Sequence, residues 1–178
     1  KPNLGLVEFG GSKQNNIVLD PDTVPSIRID PGHTTIIKDT NPDCPADARY
    51  KALVRSPVKG ERGLFALKSA DGLHFSRLGN GLIITDGYFD SENLAFWDSL
   101  RGEYRAYFRD FHDGPPGGGG IRGIKTATSP DFLNWSKAKW LEYPGSPDEH
   151  LYTNQITPYA RAPHIFIGFP KRYIDRGW

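Results

Sequence analysis

A chain of 178 residues, 37% hydrophobic and 24% charged, is long enough to bury one ordinary domain core. Twenty-two Lys and Arg against 21 Asp and Glu leave a net charge of +1, which gives no support to nucleic-acid binding or to an anionic membrane surface. No apolar run is long enough to cross a bilayer, and the single cysteine, Cys44, excludes an intramolecular disulfide.

Aromatics at 12%, with 20 Gly and 15 Pro, point to many short strands and turns rather than helices. Residues 16–19 read as a first strand and residues 26–30 as a second, closed by Pro31-Gly32. Residues 34–38 then lead through Asp39-Thr40-Asn41-Pro42 into an answering strand at 49–55. A third strand at 63–68 turns at Ser69-Ala70-Asp71-Gly72 into a fourth at 74–78.

The same plan restarts at Gly87. Leu94 and Phe96 alternate with Ala95 and Trp97, and Tyr104, Ala106 and Phe108 alternate with Arg105, Tyr107 and Arg109. The turn from Asp98 to Gly102 makes these two runs a hairpin, so Asp90 and Glu92 are expected beside Arg109 and Asp110. A third strand follows at 121–128, a second Ser-x-Asp turn at Ser129-Pro130-Asp131, and a fourth strand at 137–143. A third unit begins at Glu149, with strands at 150–157 and 164–169.

The repeat is the most informative feature. Asn41, Asn93 and Asn154 are read as opening corresponding first strands, and Tyr50 and Tyr104 as opening second strands. Ser69 and Ser129 open matching turns that reach Phe75 and Trp135. Units of four antiparallel strands at a period of roughly 50 residues are the signature of propeller blades. The expected fold is therefore an all-β propeller, with residues 1–33 leading into blades at about 34–86 and 88–146 and a third blade begun near 149.

In a propeller the first strand of each blade lines the central channel. That geometry is expected to gather Asp39, Asp90, Glu92, Asp110, His112, Asp148 and Glu149 around one funnel, with Arg55, Arg109, Lys171 and Arg172. Arg109 can orient a carboxylate or bind an acidic sugar through its bidentate fork. His112 beside Asp113, and His150 beside Glu149, are candidates for substrate hydrogen bonds, as are Asn93, Asn154 and Asp110 at the same rim; Trp97 offers a flat apolar face. The glycine run before Ile121 lacks the contiguous Gly-Lys-Ser/Thr of a phosphate loop and reads as a linker at the rim. The five histidines show no metal-ligand spacing.

Glu92-Asn93-Leu94-Ala95-Phe96-Trp97-Asp98, Lys38-Asp39-Thr40-Asn41-Pro42 and Glu149-His150-Leu151-Tyr152-Thr153-Asn154 resemble strand starts of the five-bladed propeller glycosidases. That clan comprises the fructosidases and arabinanases of glycoside hydrolase families 32 and 43. The whole chain resembles longer, uncharacterised bacterial glycosidase-like proteins. The resemblance covers about residues 34–170, and the fructosidase Asn-Asp-Pro-Asn and Glu-Cys motifs are absent.

It implies a five-bladed propeller with Asp39 as base or nucleophile, Glu149 as general acid, and Asp90 or Glu92 as the third carboxylate. Asp148 competes with Glu149, because neighbouring strand residues face opposite ways. The expected function is hydrolysis of a poly- or oligosaccharide by a carboxylate pair in the funnel. The alternative is a propeller that binds a glycan or a protein without chemistry. Neither a cofactor nor a metal at the site is expected, and a structural calcium in the channel stays open. An extracellular or periplasmic, bacterial setting goes with the resemblance. Three blades cannot close a ring, and Lys1 is not a methionine, so a longer chain or a second subunit is expected to complete it.

Overall fold

A computed structural model of the chain describes residues 3–25, 27–114, 119–174 and 176. The chain is all-β. Among the described residues there is no α-helix, only a single turn of 3-10 helix at Ala46–Ala48.

Strands β1 (Asp30–Lys38), β2 (Tyr50–Arg55), β3 (Leu64–Ser69) and β4 (Ser76–Leu78) form an antiparallel sheet in that order. Strands β5 (Leu94–Asp98), β6 (Glu103–His112), β7 (Ile121–Ser129) and β8 (Lys139–Trp140) form a second of the same topology. Strands β9 (Thr157–Tyr159) and β10 (Ala162–Ile167) make a separate hairpin.

The two sheets are register copies. Tyr50 opposes Lys38 and Ser69, and Tyr104 opposes Trp97 and Ser129. The Ser-x-Asp turns also match. Asp71 Oδ1 accepts the N–H of Leu73 and His74, and Asp131 Oδ1 accepts those of Leu133 and Asn134. Each turn adds a hydrogen bond from its serine hydroxyl to the aspartate. Burial works against ionisation of Asp131, but Asn134 and the turn amides outweigh it and hold the carboxyl at about 2. The Asp131→Ala variant is expected to lose roughly 0.5–1.5 kcal/mol through its turn hydrogen bonds, read as a shift in urea midpoint.

Alternation buries both faces of the central strands. Leu53, Leu64 and Ala66 of the first sheet pack with Ala95, Tyr104, Ala106, Phe108 and Ala127 of the second, forming the main core between the sheets. The opposite face of the first sheet, Ala52, Val54, Phe65 and Leu67, is covered by Val18, Leu19, Val24, Ile27 and Ile29. The opposite face of the second, Leu94, Tyr107 and Ile124, is covered by Leu151, Ile156 and Phe166. The layers therefore run from the N-terminal segment through two sheets to the β9–β10 hairpin.

Several expected strands differ. Residues 16–19 and 27–29 carry no ladder: their apolar side chains lie on the first sheet as an unpaired cover. Ser26 lies outside the described residues. The fourth strands shrink to Ser76–Leu78 and Lys139–Trp140. Residues 150–156 hold only a bridge from Leu151 to Arg172, because this stretch lies against sheet two rather than pairing into a ladder. No helix among the described residues is long and apolar enough to cross a membrane.

Candidate functional site

The first strands of the two sheets run side by side and parallel, with Thr34 bridged to Asn93. Asn93 is fully buried, and its amide donates to the carbonyls of His33, Phe89 and Ser91, each at 3.0 Å. Asn154 repeats this one layer on, donating to the Glu92 carbonyl at 3.0 Å and that of Tyr107 at 3.4 Å. Both asparagines thus tie each layer to the one before it. Asn41 does not match them, because it follows β1 and sits in the β1–β2 connection.

Asp90 and Glu92 lie just ahead of β5, and Asp90 meets Arg109 as the hairpin predicts. Arg109, buried near the end of β6, donates from Nε to Asp90 Oδ1 at 3.0 Å, and its guanidinium pairs with the same carboxylate. The guanidinium also lies over Tyr152 at 4.8 Å and Phe111 at 5.0 Å. Glu92 Oε2 accepts the Gln155 N–H at 3.0 Å. On the first sheet the corresponding arginine is Arg55, whose Nη1 lies 3.7 Å from Asp30, while His33 Nδ1 lies 2.8 Å from the same carboxylate. Asp30 is therefore the rim acid of the first sheet, a role sequence reasoning did not assign. The signal was present: Arg55 and Arg109 each stand five residues after the tyrosines, Tyr50 and Tyr104, that occupy matching positions in the second strands.

Asp39 is not at this rim. It follows the last residue of β1, so its counterpart by register is Asp98, at the turn end of β5. Five residues beyond Thr34, at about 3.3 Å per strand residue, put it roughly 16 Å along from the start of β5. Its side chain is 0% exposed. Lys51 Nζ donates to it, as do Tyr104 Oη at 2.7 Å and the Asn41 N–H at 2.8 Å. Burial alone would raise this carboxyl, but those three donors outweigh it and hold it below the ordinary value of 3.8. Burial and the neighbouring carboxylate push the Tyr104 hydroxyl well up. Lys51 Nζ also donates to the Ala48 carbonyl at 3.0 Å and lies 3.1 Å from Cys44 Sγ. The structure does not bring Asp39 together with Asp90, Glu92 and Glu149.

Other candidates are engaged structurally. Asp110 holds the buried Lys125 at 2.8 Å, with Asp86 at 2.7 Å on the same ammonium. Burial works to lower that lysine, and the two carboxylates overcome it and raise it. Trp97 packs edge-on to Tyr104 in the main core. His150 Nδ1 accepts the Arg122 N–H at 3.2 Å.

Glu149 and Asp148 do share a site. With Trp140, Tyr143, Glu142 and Arg122 they line an open cleft of about 810 Å³ between the β7–β8 side of the second sheet and the start of the third unit. Glu149 faces this cleft and pairs with Arg172 at 2.5 Å. His112 closes one side, its ring edge-on to Trp140 at 5.1 Å. Tyr143 is 45% exposed and offers a wide apolar ring face. Residues 115–118, which follow Gly114 in the chain, lie outside the described residues.

No protein-family model matches the chain, and no curated protein aligns with it significantly. Any functional reading rests on the cleft and the rim.

Proposed function

We propose that this protein binds a glycan in the cleft beside β8, and that the two sheets are neighbouring blades of a larger propeller. The observation that carries the reading is the make-up of the cleft. Its volume of about 810 Å³ has room for more than one sugar ring and lies within the usual range of ligand sites. Tyr143 and Trp140 supply ring faces for the apolar side of a pyranose or furanose, while Glu142, Asp148, Glu149 and Arg122 supply acceptors and donors for its hydroxyls. The repeated register and the side-by-side first strands support the propeller. An extracellular or periplasmic setting belongs to the same reading.

Hydrolysis is the second reading, favoured by four carboxylates in one cleft, Asp113, Glu142, Asp148 and Glu149. On that reading the reacting pair comes from this group, with Asp39 holding the fold. Titration of the protein with a panel of plant and algal oligosaccharides tests the binding. Tyr143→Ala is expected to weaken a bound glycan about tenfold, the loss of one ring stack. An affinity unchanged by that substitution removes the cleft as the site. Release of reducing sugar by the native chain, abolished in Glu149→Gln, would favour the hydrolase.

A further inference from the structure

We propose that His112, Asp113 and Asp148 form a binding site for a divalent first-row transition cation, with zinc preferred, at the mouth of the cleft. This does not rest on the glycan reading. One ligand atom from each side chain lies within 4.8 Å of the other two. His112 Nε2 stands 3.5 Å from Asp148 Oδ1, close to the separation of about 3.3 Å between two ligands of one tetrahedral zinc. His112 Nδ1 meets Asp113 Oδ2 at 2.7 Å. The two contacts use opposite nitrogens of the ring, so the ion sits on Nε2 beside Asp148, and Asp113, which holds Nδ1, joins as third ligand by turning its exposed side chain.

Three features argue for a cation. First, two carboxylates face one imidazole, and among the described residues neither Asp113 nor Asp148 pairs with a lysine or arginine. Of the nearby cations, Lys125 is committed to Asp86 and Asp110, Arg172 to Glu149, and Arg122 lies over the Phe111 and Tyr173 rings. Second, the histidine is held in place. It ends β6 opposite Ile121, its ring packs edge-on to Trp140, and a side chain at Gly123 would come within 3.1 Å of it and 2.9 Å of Trp140. Third, the donors open on a cleft, so the coordination positions the protein does not fill are accessible to water or to a ligand oxygen. An imidazole nitrogen in the set favours zinc over calcium or magnesium, which take oxygen donors.

Calorimetric titration of the full chain with zinc at neutral pH should give one site per chain. His112→Ala and Asp148→Asn should each weaken it at least about tenfold. His164→Ala, an exposed histidine on β10, should leave it unchanged. Should His112→Ala fail to fold, Asp148→Asn decides, because that side chain is 59% exposed. No zinc uptake, uptake insensitive to the His112 and Asp148 variants, or equal affinity for calcium would overturn the proposal.

Discussion

Replacing Asp39 with alanine is expected to destabilise the protein by about 3–5 kcal/mol, because it leaves the Lys51 ammonium buried without its counter-charge. Lys51 is 4% exposed, and apart from the Tyr104 and Phe132 rings its remaining partners are the Ala48 carbonyl and the Cys44 sulfur. The double variant Asp39→Ala, Lys51→Met should recover much of the loss, since it removes both charges and keeps the apolar stem. Urea unfolding of the native chain and both variants makes the comparison. A carboxylate set aside for substrate would behave in the opposite way, and its removal would leave stability unchanged or raised.

The same site predicts an acid response. The Asp39 carboxyl is lowered in the fold from 3.8. Its contribution is therefore fully present above that ordinary value and is lost as the pH falls through the lower folded value. The Asp39→Ala variant should lack this part of the acid transition, which unfolding followed from pH 5 downward would register. The asparagine variant keeps the shape but leaves the lysine charge unpaired, so it should sit closer to alanine than to the native chain.

The second large effect belongs to Phe108. Its ring is 0% exposed between the two sheets, tilted against Phe89 with centroids 5.2 Å apart. Phe108→Ala is expected to cost about 3–5 kcal/mol in lost burial and residual cavity. Because residues of both sheets meet at this ring, the loss should appear as one cooperative transition at lower urea, not as the melting of one sheet alone. Two separate transitions in the native chain would contradict a shared core.

How much of this was legible follows from the range of each interaction along the chain. The β2–β3 and β5–β6–β7 ladders were readable because alternation is local, and both faces of Leu53–Val54 and Phe65–Ala66 are apolar. The matched Ser69 and Ser129 turns were readable because an aspartate two residues on satisfies its own turn. Residues 16–19 misled because an apolar run that covers a sheet looks the same as one that pairs into it.

The rim was half readable. Asp90 beside Arg109 follows from antiparallel pairing alone. Asp39 was assigned to the wrong end of its strand because Asn41 resembles Asn93 and Asn154 in sequence but not in register. Counting from Tyr50 and Tyr104 instead pairs Asp39 with Asp98 and leaves Asp30 as the acid near Arg55. The cleft was readable in part: His112, Asp148 and Glu149 were expected at one funnel and do line it together. Trp140, Glu142 and Tyr143 were not expected there, since they reach it through β8 at the edge of sheet two and the packing of the third unit beside it. The distance along the chain from His112 to Asp148 hides the His112, Asp113 and Asp148 cluster from any search for metal-ligand spacing.

The glycan-binding cleft is tested most directly by two-dimensional NMR of the labelled chain during titration with a mixed oligosaccharide pool. The sequence holds four tryptophans, so the indole N–H region is sparse. Saturable shifts are predicted for the Trp140 indole and for backbone amides of residues 140–151, while Trp97 and Trp135, packed in the main core, stay still. Saturable shifts confined to the surroundings of Asp39 and Lys51, or no saturable shift with any glycan, would contradict the account.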